Sequence, residues 1–195
     1  MPRLFLAVPM DDHIRARLVD MRTRLSAADA DIRWVAPENL HLTVAFLGDR
    51  GEGQVPDIAS FTEHVAANTA AFRIELCGGS AFPKKGPLKT LWVGIGEGAA
   101  AWKDLARLAE KTFAPFGVPP RNDLTPHITI GRVRGERNMD ELRARLVREA
   151  QTDCGAQSAE KLELVESTLD PGGATYRTRG SWRFAATASS PKPLQ

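Results

Sequence analysis

With 195 residues, 43% of them hydrophobic, the chain can bury a sizeable core as one large domain or two small lobes, which excludes a disordered or fibrous polymer. Its 26 Lys and Arg residues against 24 Asp and Glu leave a formal net charge of +2, which admits an anionic ligand but falls short of a duplex-binding footprint. No apolar stretch approaches the roughly 18 residues of a membrane span, and the first apolar string stops at Pro9, too soon for a signal peptide; a soluble cytoplasmic protein is expected.

That first string, Leu4-Phe5-Leu6-Ala7-Val8, predicts a strand. Asp11 or Asp12 can cap a helix over 14–25 whose stripe is Ile14, Leu18, Met21 and Leu25. Arg33-Trp34-Val35 is a short extended piece, and a second strand is expected over 40–47, stopped by Gly48. After a flexible Gly51-Glu52-Gly53 connection, a helix over 55–70 presents Ile58, Phe61, Val65 and Ala66. Residues 72–76 alternate as a half-buried strand ended by Gly78-Gly79. Residues 81–88, with two prolines, Gly86 and Lys84-Lys85, read as a loop and lobe boundary.

A nearly continuous apolar strand follows over 90–95, and the glycines of 94–98 form a turn, since they do not reproduce G-x-G-x-x-G. The next helix spans 99–113 with Leu105, Leu108, Ala109 and Thr112 inward. The loop 121–126 leads into a strand that starts at His127. Asn138 can cap a helix through Ala150, with Leu142 and Leu146 inward and Arg143, Arg145 and Arg148 solvated. Residues 161–167 alternate as a strand, Pro171-Gly172-Gly173 turns, and 174–184 supply the hairpin partner. Residues 189–195 are expected to be a disordered tail.

Short turns between strands favour antiparallel or mixed pairing over a doubly wound parallel sheet. The expected fold is therefore α+β, a single domain over 1–188 of two pseudo-symmetric lobes of antiparallel or mixed β-sheet with outer helices and a cleft between them. Cys77 and Cys154 are expected to be reduced and structural, and neither they nor the histidines have ligand spacing, so no metal or other cofactor is expected.

Two of the four histidines stand in matching strings, His41-Leu42-Thr43-Val44-Ala45-Phe46-Leu47-Gly48 and His127-Ile128-Thr129-Ile130-Gly131-Arg132-Val133. A lone strand histidine is ordinarily structural, but the repetition of one His-x-Thr context is not ordinary. On a strand, residues two apart share a face. His41 and Thr43 should thus point one way and Leu42, Val44 and Phe46 into a core, with His127 and Thr129 likewise opposite Ile128 and Ile130. His13 and His64 lie on predicted helices without a Thr partner and should be surface residues.

Imidazole titrates near pH 6.5, so two histidines facing one substrate can act as acid and base at neutral pH, and the threonine hydroxyls can hold non-bridging phosphate oxygens. Such a set can split a phosphodiester without a metal. Serine-hydrolase chemistry fits worse, because there is no G-x-S-x-G elbow.

These strings make the chain resemble the 2H phosphoesterase superfamily, in particular its RNA 2',3'-cyclic phosphodiesterase branch, once described as 2'-5' RNA ligases. The likeness extends to Leu4–Val8, Arg33-Trp34-Val35, Glu38-Asn39-Leu40, Leu91-Trp92-Val93-Gly94, Thr125-Pro126, Glu166-Ser167 and Tyr176. The resemblance implies hydrolysis of RNA or nucleoside 2',3'-cyclic phosphates to 2'-phosphomonoesters. It implies His41 as proton donor, His127 as proton acceptor, and Thr43, Thr129 and Arg132 as substrate-binding residues. RNA ends or nucleotides bearing the cyclic phosphate are then the partners, with no membrane and no obligate protein partner.

Arg132 has two readings. An unbroken strand would turn it away from His127, whereas a bulge at Gly131 could re-aim it. Phe5, Trp34 and Phe46 are either core residues or platforms for a base. Three other functions stand beside the hydrolase: 2'-5' ligation by the same acid and base, a non-catalytic RNA-end-binding module, and a metal-dependent phosphodiesterase, which would need further ligands.

Overall fold

The computed structural model describes residues 1–121, 124–170 and 173–186. Its elements are β1 (Arg3–Pro9), α1 (Asp12–Ser26), β2 (Ile32–Trp34), β3 (His41–Asp49), α2 (Val55–Ala67), β4 (Phe72–Phe82), β5 (Thr90–Ile95), α3 (Ala99–Phe113), β6 (His127–Val133), α4 (Met139–Glu149), β7 (Asp153–Ala159), β8 (Lys161–Asp170) and β9 (Gly173–Arg183). The strands form one curled antiparallel sheet in the order β7-β4-β5-β6-β3-β1-β8-β9, with β2 also on β6. The α+β class is as the alternation of patterns predicts.

The sheet has two matching halves, β3-β1-β8-β9 and β6-β5-β4-β7, meeting where β3 lies beside β6. The chain weaves between them: α1 follows β1 but packs with β7, and α3 follows β5 but packs with β3. The segment 81–88, expected as the lobe boundary, separates two β-α-β-α runs in sequence. In space, however, it connects β4 to β5 within one half.

The helices cover the convex face, where the main core lies. Ile14, Leu18, Met21 and Leu25 are buried on α1, and Leu142 and Leu146 on α4, as their spacing predicts. Phe61, expected inside α2, is 37% exposed; Thr62 is buried in its place and donates its hydroxyl proton to the Ile58 carbonyl at 2.7 Å. On α3 the buried set is Trp102, Leu105, Ala106, Ala109, Glu110 and Phe113, leaving Leu108 and Thr112 at its margin.

Gly78-Gly79 does not end β4, which continues to Phe82; the pair instead accompanies a bulge opposite β5, with Gly78 at φ 73°. Strand β7 had no clear alternation in sequence, yet buries Cys154, Gln157 and Ala159. Neither expected cap residue makes a side-chain cap. The Asp11 backbone N–H donates to Gln157 Oε1, and Asn138 donates its side-chain amide to the Asp29 carbonyl. The arginines of α4 are also less free than a solvated face implies: Arg143 donates to the Gly86 carbonyl and Arg145 to the Arg24 carbonyl. Both cysteines are free thiols. No described helix is long and apolar enough to cross a membrane. The expected turn at Pro171-Gly172 and the tail 189–195 lie outside the described residues.

Candidate active site

The seam between the two halves carries both His-x-Thr strings. Leu42 of β3 pairs with Ile128 of β6, antiparallel, and both are fully buried in the convex-side core. His41, Thr43, His127 and Thr129 therefore emerge together on the concave face, each half-buried. One step along an antiparallel register in each direction sets His41 across from Thr129, and Thr43 across from His127. The histidines thus occupy a diagonal with Cβ atoms roughly 7–8 Å apart, room for one tetrahedral group.

Both rings are held alike. His41 Nδ1 lies 2.7 Å from the Asn39 carbonyl, and His127 Nδ1 lies 2.9 Å from the Thr125 carbonyl. A carbonyl only accepts, so Nδ1 carries the proton and Nε2 is the atom left to exchange one. Burial, with a smaller contribution from the His127 charge, pushes the His41 pKa below the ordinary 6.5, while the Asn39 carbonyl and the Glu163 charge oppose the shift.

Each ring rests on an aromatic wall. His41 lies 4.8 Å from the Phe5 ring and 5.4 Å, edge-on, from Tyr176. His127 lies 5.2 Å from Phe82 and 5.9 Å from Trp92, and Lys84 Nζ sits 4.8 Å over the Trp92 ring. Phe5, Ala7 and Val165, with Tyr176, form a second small apolar cluster on the concave face. Tyr176 reaches His41 from a strand three places away, a measure of how far the sheet curls.

Bulges decide two side chains that simple alternation misplaces. On β3 the register against β1 skips Val44 and Leu47, so Thr43 faces Ala7 and Phe46 faces Phe5. Phe46, expected in the core, is consequently on the cleft face and 63% exposed. The Val44 carbonyl accepts from Arg121 Nη2 at 2.6 Å, and Arg121 is itself fixed by Glu110 at 2.8 Å. Arg121 belongs to the segment before His127, so it braces one motif from the other.

On β6 the register against β5 places Thr129 opposite Trp92 but Arg132 opposite Thr90, with one residue extra between them at Ile130-Gly131. Trp92 and Thr90 share a face, so Arg132 shares that of Thr129, and its charge is felt at Tyr176. Trp34 packs against the core, where a Cβ on Gly131 would come within 3.0 Å of its ring, and is not part of the cleft.

Sequence reading did not select Phe82, Trp92, Lys84 or Glu163. Strand alternation placed Glu163 on one face with Lys161 and Val165, but could not say that this face looks into the cleft.

A family model for LigT like phosphoesterases matches residues 8–92. The RNA 2',3'-cyclic phosphodiesterase of Methanothermobacter thermautotrophicus is 35% identical over 175 residues, 89% of this chain and 94% of that protein. The protein of the same name from Archaeoglobus fulgidus is 32% identical over 179 residues, 90% of this chain and 96% of that one. Among solved structures, TT0787 of Thermus thermophilus superposes with a TM-score of 0.79 at 26% identity, covering 93% of this chain and 97% of that one.

Proposed function

This chain belongs to the LigT-like phosphoesterase family, and from that membership we infer that it is an RNA 2',3'-cyclic phosphodiesterase, opening a terminal ribose 2',3'-cyclic phosphate to a phosphomonoester. The observation that carries the assignment is the diagonal pair of imidazoles, each with Nδ1 on a carbonyl and a threonine beside it.

In this reading the cyclic phosphate lies between the two rings. His127 Nε2 takes a proton from water as its oxygen attacks phosphorus opposite the departing ribose oxygen. The bond from phosphorus to O3' breaks, and the His41 imidazolium gives its Nε2 proton to that oxygen, leaving a 2'-phosphate and a 3'-hydroxyl. Proton exchange with solvent restores His41 to the imidazolium and His127 to the free base. Thr43 and Thr129 donate to the non-bridging oxygens, where negative charge grows in the transition state. Arg132 contacts the anion with a charge that needs no proton transfer. The depressed pKa of His41 is no obstacle, because an anion placed beside the ring favours its charged form.

The test is incubation with nucleoside 2',3'-cyclic monophosphates and with an oligonucleotide ending in the cyclic phosphate, both in EDTA. The expected result is chelator-resistant hydrolysis to the 2'-phosphate. Activity abolished by EDTA and restored by a divalent cation would overturn the two-histidine mechanism. A predominant 3'-phosphate would reverse the substrate in the cleft or exchange the roles of the rings.

A further inference from the structure

The register across three strands puts one carboxylate in line with the first motif. Ala7 of β1 pairs with Thr43 of β3 on one side and with Glu163 of β8 on the other. Directly paired residues share a face, so Thr43, Ala7 and Glu163 form a row on the concave surface, its ends two interstrand spacings, roughly 10 Å, apart. Leu162 and Leu164, the neighbours of Glu163, are fully buried on the opposite face, which fixes the direction of its side chain.

The middle of this row is a methyl group. Ala7 therefore leaves the space between Glu163 and the His41-Thr43 pair without an intervening long side chain. Phe5, Ala7 and Val165 make the surroundings apolar, so a charge there is weakly screened. The Glu163 side chain is only 16% exposed, so little water lies between its charge and its surroundings. Its charged neighbour is Lys161, whose Nζ lies 2.9 Å from Oε1; Thr178 of β9 approaches Oε2 at 3.5 Å.

We propose that Glu163 is a positioning residue for the acid step, a carboxylate that holds the His41 imidazolium charged until its proton is given to the leaving oxygen. The proposal rests on the hydrolase reading above and adds a residue to it. The other titratable groups about His41 are His127 and Arg132 on β6, Tyr176 on β9 and Lys161 on β8. The His127 charge acts against the imidazolium, and Tyr176 is neutral at working pH, its pKa raised by burial. Glu163 is the acidic group among them, and its charge acts on His41 in the direction required.

The experiment is NMR titration of the His41 imidazole in the wild type and in Glu163→Gln, Glu163→Asp and Lys161→Met, paired with pH–rate profiles on a 2',3'-cyclic nucleotide and on a nitrophenyl phosphodiester. Glu163→Gln should lower the His41 titration by roughly half to one pH unit. Lys161→Met, which frees the carboxylate of its partner, should raise it, and Glu163→Asp should stay near the wild type. The alkaline limb on the cyclic nucleotide should follow the same order, while the nitrophenyl diester, whose leaving group needs no proton, should not respond.

An unmoved His41 titration in Glu163→Gln would overturn the proposal, as would an equal loss of rate at every pH on both substrates. Should Glu163→Gln fail to fold, the opposite shift in Lys161→Met decides the matter, and its absence counts against the idea. The titration needs no turnover, so a wild type inactive on cyclic phosphates would refute the hydrolase reading while leaving the coupling of Glu163 to His41 separately measured.

Discussion

Leu42 and Ile128 face each other across the middle of the sheet, the one register pair recorded between β3 and β6 among the described residues. Neighbouring strand pairs are joined by five or more such positions. Each of these two residues is also the centre of a His-x-Thr string, so the seam that joins the halves is the seam that carries the candidate site.

Truncation there should be expensive. Ile128→Ala should cost about 2–5 kcal/mol by loss of buried apolar contacts and the cavity left behind. Val147→Ala, at a position 76% exposed, should stay within roughly 0.5 kcal/mol. Denaturant midpoints at unchanged slope measure both; similar values for the two would mean that the seam is not a packed junction.

The two imidazoles should respond differently to the leaving group. General-acid assistance is worth roughly 100- to 10,000-fold when a ribose oxygen departs. His41→Ala should lose about that factor on a cyclic nucleotide and far less on a nitrophenyl phosphodiester that the wild type turns over. His127→Ala should be impaired on both, since water needs its base in either case. Equal losses throughout would refute the division of labour, and the reverse pattern would make His127 the acid.

The direction of the His41 shift fixes a pH dependence. A histidine whose pKa is depressed by burial loses its proton below the ordinary 6.5 as pH rises. In the proposed mechanism the free enzyme then loses its acid, so the alkaline limb of kcat/KM should lie below pH 6.5. A bound phosphodiester is an anion next to the imidazolium and raises that value, so the alkaline limb of kcat should stand at higher pH than that of kcat/KM. Profiles in which the order is reversed would show that His41 is not the group lost on that limb.

Arg132 is re-aimed by the bulge at Ile130-Gly131 and should act on binding more than on chemistry. Arg132→Ala should raise KM by roughly 10- to 100-fold, the range of one charge-assisted hydrogen bond, with kcat within a few fold. Arg132→Lys should recover part of the loss. An unchanged KM for the alanine variant would return Arg132 to the surface.

Sequence alone singled out the four residues that the sheet brings together on its concave face. His41, Thr43, His127 and Thr129 were legible because strand alternation is local: residues two apart share a face wherever the strand lies, and the repeated string marked the two strands as a pair. The helices were legible for a similar reason, as the stripe on α1 shows, and so was the α+β class. What alternation cannot contain is register. An extra residue in β3 turned Phe46 out of the core, and another in β6 brought Arg132 back to the cleft. Strand β7, with its small and polar residues, is a strand because β4 offers it hydrogen bonds rather than because its own pattern demands one. The threading of α1 and α3 across the halves and the row from Thr43 through Ala7 to Glu163 join residues far apart in the chain. Such pairings are decided by which strands meet and by how the sheet curls, properties of the assembled core and not of any one segment.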